Sequence, residues 1–202
     1  MWRTLNYLDE HGNKIRHLQV ERKEQILAET YVLPTDCVLE LGARYGTVSC
    51  VVNRILSCQT DQVVVEPDAR VWYALEGNRE RNQCDFHIIK GFLSKKKLSL
   101  FDTDFWKGYG TKSKEDETSQ IPSWTLEEAQ SLVSKPFTVL LADCEGFLET
   151  FLDENPDFLK TLRLVIFEKD NPKQCNYKKI KSNLTSLGFT QKVALFHEVW
   201  QK

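Results

Sequence analysis

A glycine turn after an apolar run is the segment whose residues best suit a chemical role. The run reaches Glu40, and Gly42 and Gly46 follow it closely. Glycine lets the chain turn sharply and lets a ligand approach the backbone, and a helix beyond the turn presents free N–H groups. The spacing is not the G-x-G-x-x-G of dinucleotide sites, and an acid before the turn would repel a pyrophosphate. The turn instead suits a ligand with cationic ammonium and sulfonium groups, such as S-adenosylmethionine. The residues predicted to contact it are Glu40, Gly42, Ala43, Arg44, Tyr45, Gly46 and Thr47.

A second acid ends the next apolar run. Glu66 and Pro67 follow Val63–Val65, about twenty residues past the glycine turn. A carboxylate at this place accepts hydrogen bonds from the ribose hydroxyls of an adenosine ligand. Alone, Glu66 would be an ordinary acid at a strand end, and the glycine turn a plain strand–turn–helix junction. Together they predict a methyltransferase that binds S-adenosylmethionine.

Further acids follow two later apolar runs. Asp143 and Glu145 come after one run, and Glu168 and Asp170 after the next. Ligands of open α/β sheets bind at the carboxyl ends of the strands, so these four acids are expected to converge on one pocket. Crowded carboxylates raise one another's pKa, which makes a better base for removing a proton from a hydroxyl acceptor. The alternative for Glu145 is to cap the following helix.

Several motifs together resemble the FkbM family of class I S-adenosylmethionine-dependent methyltransferases. The stretch from Glu40 to Gly46 is similar to that family's acid-x-Gly-Ala-Asn-x-Gly turn, with Arg44 in place of the usual Asn. The resemblance runs from about Tyr31 to Phe189. Its other elements are Val65-Glu66-Pro67, Trp124-Thr-Leu-Glu127, Asp143-Cys144-Glu145-Gly146 and Phe167-Glu168.

The resemblance implies a Rossmann-like methyltransferase sheet of seven mostly parallel strands, with an antiparallel C-terminal strand. It also implies O-methylation of a sugar hydroxyl on a glycan or glycoside, such as a deoxyhexose like rhamnose, and a module of a longer glycan-building enzyme. Two alternatives stay open. One is a methyltransferase for another small molecule or a protein, and the other is a non-catalytic binding module with this fold.

A divalent metal such as Mg²⁺ is not favoured. Some sugar O-methyltransferases hold one with an acid on the fourth strand and two consecutive acids on the fifth. Asp143 could supply the first ligand, but Lys169 separates Glu168 from Asp170. Lys169 is therefore predicted to stabilise an alkoxide or to pair with Glu145.

The remaining candidates surround these acids. Phe92 and Ser94 follow the predicted third strand, in a loop expected to border the adenine. The candidates for acceptor binding are Trp106, Tyr109 and Trp124, which could stack on a sugar face or serve packing, and His197 on the final strand.

Composition narrows the class of protein. The chain has 202 residues, of which 41% are hydrophobic, and its net charge is −2. This predicts one domain over residues 1–202 and gives no sign of a nucleic-acid partner. No apolar stretch is long enough to span a membrane. The six cysteines show no metal-ligand spacing with histidine. Such cysteines are typical of a reducing compartment, so the expected location is cytoplasmic.

The elements that must position these residues form an α/β, doubly wound sheet. Short apolar runs without alternation are typical of parallel strands that are covered on both faces. The predicted strands are 37–41, 62–65, 137–142, 164–167 and, more weakly, 86–90. Helices are predicted over 47–56, 69–82, 126–133, 147–151 and 177–187.

Three further segments complete the sequence-based prediction. Residues 1–33 are expected to form a helical lead-in, with its helix over Glu21–Leu33. Residues 101–122 are expected to form a variable loop near the acceptor site. The last segment, Gln191–Trp200, is expected to be a single antiparallel edge strand.

Overall fold

The fold is built on a central sheet with helices on both of its faces. The computed structural model describes residues 4–16, 20–102 and 111–202. The strands are β1 (Tyr7–Leu8), β2 (Lys14–Ile15), β3 (Val38–Leu41), β4 (Gln62–Glu66), β5 (His87–Lys90), β6 (Phe92–Leu93), β7 (Leu98–Phe101), β8 (Lys112–Glu115), β9 (Ser123–Trp124), β10 (Val139–Ala142), β11 (Leu164–Glu168), β12 (Thr190–Ala194) and β13 (His197–Gln201). The helices are α1 (Arg22–Tyr31), α2 (Thr47–Ile55), α3 (Trp72–Arg81), α4 (Leu126–Ser131), α5 (Leu148–Glu154), α6 (Phe158–Thr161) and α7 (Tyr177–Ser186).

Seven strands form the central sheet in the order β12-β13-β11-β10-β3-β4-β5. The adjacent strands β11, β10, β3, β4 and β5 run parallel to one another. Strand β13 runs antiparallel to both of its neighbours, β11 and β12. The predicted fold class, a mostly parallel doubly wound sheet with an antiparallel C-terminal strand, is therefore confirmed. The strand order reverses at β3, where β10 and β4 lie on opposite sides of it. Open α/β sheets bind ligands at such a switch point.

The central strands are buried because both faces of the sheet are covered. Leu39 and Leu41 of β3 belong to one apolar cluster, which contains Phe151 of α5. Val38 belongs to another cluster, which packs against Ala28 of α1. Continuous apolar runs are stable in strands only when helices exclude water on both sides. The five strands predicted from such runs are all present.

The C-terminal segment differs from its prediction. Residues 190–201 form a hairpin, β12 and β13, rather than one edge strand. The exposed strand β12 is the edge, while β13 is buried between β12 and β11. The turn carries Leu195 and Phe196, both exposed, and no glycine or proline. The sequence therefore offers no turn signal to divide the segment.

Two other segments contain strands where none was predicted. The lead-in is only partly helical, because β1 and β2 pair as an antiparallel hairpin before α1. Strand β8 lies inside the predicted loop 101–122 and pairs antiparallel with β7, which ends where that loop begins. Among the described residues, no helix is long and apolar enough to cross a membrane.

Candidate functional site

The glycine turn lies where β3 meets α2. Gly42 has φ +88°, and a Cβ on this residue would stand 1.7 Å from the carbonyl oxygen of Asp143. Only a residue without a side chain allows this approach between the turn and the end of β10. Gly46, with φ +75°, is the N-cap of α2 and packs on Leu75 of α3. The glycines thus bring the turn against the neighbouring strand and start the helix.

Glu66 connects the glycine turn to the end of β4. Its carboxylate accepts the backbone N–H of Arg44 at 2.6 Å on Oε2 and that of Asp68 at 2.8 Å on Oε1. Arg44 reaches this position in the left-handed region, with φ +42°. Burial raises the pKa of Glu66 to about 7. Each carboxylate oxygen retains a lone pair that a ligand hydroxyl can use.

A cleft opens above the turn and is called here the main cleft. It occupies about 800 Å³ including the part open to solvent, within the range of about 300–1,000 Å³ usual for small-molecule sites. The predicted residues that line it are Gly42, Arg44, Glu66, Pro67, Phe92, Asp143 and Glu145. Apolar side chains also line it, among them Leu41, Val65, Leu93, Leu100 and Phe147.

Six residues predicted to contact the cofactor do not line the main cleft: Glu40, Ala43, Tyr45, Gly46, Thr47 and Ser94. The Tyr45 hydroxyl donates to Glu10 at 2.5 Å, and the Thr47 hydroxyl donates to Glu21. Ser94 donates to Glu154 at 3.0 Å, while Ala43 is packed in the core. These side chains support the turn and the neighbouring loops.

A second cleft lies beside the main cleft and is called here the acidic cleft. Gly42, Asp143 and Glu21 line both clefts. The titratable residues that line the acidic cleft are Glu21, Glu24, Glu40, Asp143, Glu168 and His197.

Glu40 faces the acidic cleft, not the main one. Its carboxylate accepts hydrogen bonds from Ser49 at 2.9 Å and from Gln62 at 3.3 Å. Burial raises its pKa to about 8. The acid before the turn therefore contributes to the charge of the acidic cleft.

Asp143 stands at the boundary of the two clefts. Burial, together with the charges of Glu168, Glu21, Asp170 and Glu24, raises its pKa well above the usual range. A carboxylate of this kind is suited to accept a proton near neutral pH.

Glu145 lines the main cleft in a left-handed conformation, with φ +51°. Helix α5 begins at Leu148, and its N-cap residue is Phe147, which makes no side-chain cap. The structure does not place Glu145 as the cap, so that alternative was wrong.

Glu168 belongs to a cluster that includes a residue from α1. His197 Nε2 lies 2.9 Å from Glu168 Oε2 and also contacts Glu24. Burial alone would lower the pKa of His197, but its hydrogen bonds to Glu168 and Glu24 outweigh this and raise it to about 9. Burial also raises the pKa of Glu168.

The expected convergence of four acids and Lys169 was only partly correct. Lys169 Nζ lies 2.9 Å from Glu198 Oε1, so it pairs with β13 rather than with Glu145. Asp170 accepts a hydrogen bond from the Tyr177 hydroxyl at 2.5 Å and lines neither cleft. Asp143 and Glu145 line the main cleft, whereas Glu168 lines the acidic one.

The predicted aromatic acceptor platform is not assembled by the described residues. Trp124 pairs with Leu93 through β6 and β9 and packs on the core. Trp106 and Tyr109 lie outside the described residues.

Several polar residues at the clefts were not predicted from the sequence. Glu21 and Glu24 come from the start of α1, and Thr111 and Ser113 from the region of β8. No motif marks them. The only available signal for the two acids was their position at a helix start, where acids are common for other reasons.

Solved structures with this fold were found, although no protein-family model and no curated protein matches the sequence. Precorrin-6y C5,15-methyltransferase from Geobacter metallireducens is 10% identical, with a TM-score of 0.58 and 93% of both chains covered. An O-methyltransferase from Bacillus cereus in complex with SAH is 13% identical, with a TM-score of 0.56, over 93% of this chain and 84% of that chain. Ribosomal protein L11 methylase from Lactobacillus delbrueckii subsp. bulgaricus is 15% identical, with a TM-score of 0.51, over 89% of this chain and 76% of that chain.

These neighbours are named for different acceptors, so the fold does not select one. The specific FkbM resemblance, the sugar acceptor and the exclusion of nucleic acid stay predictions. At these identities the structural likeness shows architecture alone, and by that architecture the chain has the Rossmann-like methyltransferase fold.

Proposed function

We propose that this chain is an S-adenosylmethionine-dependent methyltransferase that acts on a hydroxyl group. The observation that carries the proposal is the arrangement around Glu66. A buried carboxylate at the switch point of the sheet is fixed by two backbone N–H groups beside a glycine turn. This arrangement fits the ribose of an adenosine ligand. The neighbour in complex with SAH supports the choice of cofactor.

The residues of the main cleft fit the parts of this cofactor. Gly42 lets the turn lie directly against the backbone of Asp143, where any side chain would clash. Phe92 and Phe147, with ring centroids 5.8 Å apart, form an apolar wall suited to adenine. Glu21 and Asp143 supply negative charge towards the acidic cleft, where the ammonium and sulfonium of the cofactor would be stabilised.

We assign proton removal to Asp143. When bound, S-adenosylmethionine supplies a methyl group whose bond to sulfur breaks, with the electron pair remaining on sulfur. Asp143 accepts the proton of the acceptor hydroxyl as the new carbon–oxygen bond forms. The surrounding residues hold the acceptor oxygen in line with the methyl carbon, which contributes the proximity effect.

A sugar hydroxyl is the acceptor that we propose, on a glycan or glycoside. Its support is the FkbM resemblance together with a base that suits a weakly acidic hydroxyl. We expect methyl transfer from S-adenosylmethionine to at least one member of a glycoside panel, detected as a mass gain of one methylene. A second panel of catechols, peptides and short RNAs tests other acceptors. Transfer confined to that panel would refute the sugar assignment and keep the enzyme class.

Replacing Glu66 tests the ribose assignment. We expect Glu66→Ala to weaken SAH binding by about 1–3 kcal/mol, because the ribose hydroxyls and the N–H groups of Arg44 and Asp68 lose their acceptor. Glu66→Gln should lose less, since one oxygen remains. Isothermal titration measures both. The control is Glu80→Ala, at an exposed position of α3. Equal affinity in Glu66→Ala and this control would refute the assignment.

A further inference from the structure

The acidic cleft holds three donor groups that face one another. Glu24 from α1, Glu168 from β11 and His197 from β13 each offer one ligand atom, and these atoms all lie within 4.8 Å of one another. His197 is buried, and the two glutamates are half-buried. Three separate elements therefore direct their polar side chains to one point.

One imidazole nitrogen is shared between the two carboxylates. The same imidazole nitrogen, Nε2, contacts both Glu24 and Glu168. That nitrogen carries at most one hydrogen, so it cannot donate a full hydrogen bond to both carboxylates. Two carboxylates and one ring nitrogen directed at a common centre form a donor set for a cation.

The negative charge around the three donors also favours a bound cation. Asp143, Glu21 and Glu40 line the same cleft, and none of the lining residues in the described part of the chain is lysine or arginine. Lys169, which follows Glu168 in the chain, is paired with Glu198 instead. The half-buried Asp143 carboxylate, moreover, accepts no hydrogen bond from the described residues. Negative charge in such a place is costly unless the carboxyl groups bind a cation or a proton.

We propose that Glu24, Glu168 and His197 bind a divalent transition-metal ion, with Asp143 beside it. Ligand distances of about 2.0–2.2 Å place neighbouring donors about 3 Å apart, and His197 Nε2 and Glu168 Oε2 are 2.9 Å apart. An imidazole among carboxylates favours Mn²⁺ or Zn²⁺ over Mg²⁺ or Ca²⁺. This donor set is not the expected one, in which Asp143 joins two acids of the fifth strand.

The site would serve the reaction proposed above, and this role rests on the proposed function. A metal ion next to Asp143 lies at the boundary with the main cleft, where an acceptor oxygen would approach. A bound cation stabilises the oxyanion that forms as the proton leaves. Metal binding itself needs no acceptor, so it is measured separately.

The test is Mn²⁺ binding by the full chain, followed by electron paramagnetic resonance as free Mn²⁺ is depleted. We expect one ion per chain in the wild type. Glu24→Gln and His197→Gln should each weaken binding by at least about tenfold, since each removes one ligand. Glu29→Gln is the matched control, because it makes the same change at an exposed position of the same helix. Zn²⁺ competition against Mn²⁺ uses the same signal.

Two results would overturn the inference. One is no Mn²⁺ or Zn²⁺ binding by the wild type at millimolar concentration. The other is equal binding by Glu24→Gln, His197→Gln and Glu29→Gln. Thermal unfolding and SAH titration of each variant show whether it folds and keeps the main cleft. Specific metal binding without methyl transfer would refute the proposed function alone, and transfer without metal binding would refute this inference alone.

Discussion

Gly42→Ala is expected to destabilise the protein by about 2–6 kcal/mol and to abolish SAH binding. The left-handed backbone of Gly42 costs an alanine about 1–3 kcal/mol. The overlap with Asp143 adds about 1–3 kcal/mol. Because the atom met at 1.7 Å is a backbone carbonyl oxygen, no side-chain rotation relieves the contact. The turn must therefore move away from the end of β10, and Gly42 of the turn and Asp143, which follows β10, both line the main cleft.

Chemical denaturation measures the stability of this variant, and isothermal titration measures its affinity for SAH. Gly77→Ala is the control, because Gly77 lies inside α3 and a Cβ there meets nothing within 4 Å. Alanine in a helix interior should stabilise by about 0.5–1 kcal/mol. A Gly42→Ala variant as stable as wild type and with wild-type affinity for SAH would show that this close approach does not shape the site.

Asp143→Asn is expected to lower the rate of methyl transfer by about 10²–10⁴-fold, the usual contribution of a general base. An amide keeps the size of the side chain but does not accept the hydroxyl proton. SAH affinity should stay within about tenfold of wild type, since the product carries no sulfonium charge. The rate is measured with the acceptor that the glycoside panel identifies.

Two further variants serve as comparisons for Asp143→Asn. Asp153→Asn makes the same change at an exposed position of α5 and should keep full activity. Glu145→Gln removes the other carboxylate that follows β10 in the main cleft and should lose less than Asp143→Asn. A larger loss in Glu145→Gln would move the proton acceptor to Glu145.

The sheet and the main cleft could be predicted because their signals are local. Buried parallel strands leave uninterrupted apolar runs, and Glu40, Gly42 and Glu66 follow two such runs. The left-handed conformation at position 44 accounts for the Asn of the FkbM pattern, since Asn tolerates this region well. Arg44 adopts it as well, with φ +42°.

The acidic cleft could be predicted only in part, because its contacts join distant parts of the chain. Glu24 and His197 are separated by 173 residues, and neither belongs to a motif. Their meeting depends on β13, which lies between β12 and β11 in the sheet. The prediction of a single edge strand did not include this hairpin. The same hairpin brings Glu198 to Lys169 and removes that lysine from its expected partner.

The main cleft as a site for S-adenosylmethionine is the central part of the proposed function. Isothermal titration of the wild-type chain with SAH tests it without knowledge of the acceptor. We predict one SAH per chain, with binding weakened in Glu66→Ala and retained in Glu80→Ala. The absence of binding at millimolar SAH would contradict the account. Equal SAH affinity of the wild type and Glu66→Ala would contradict it as well.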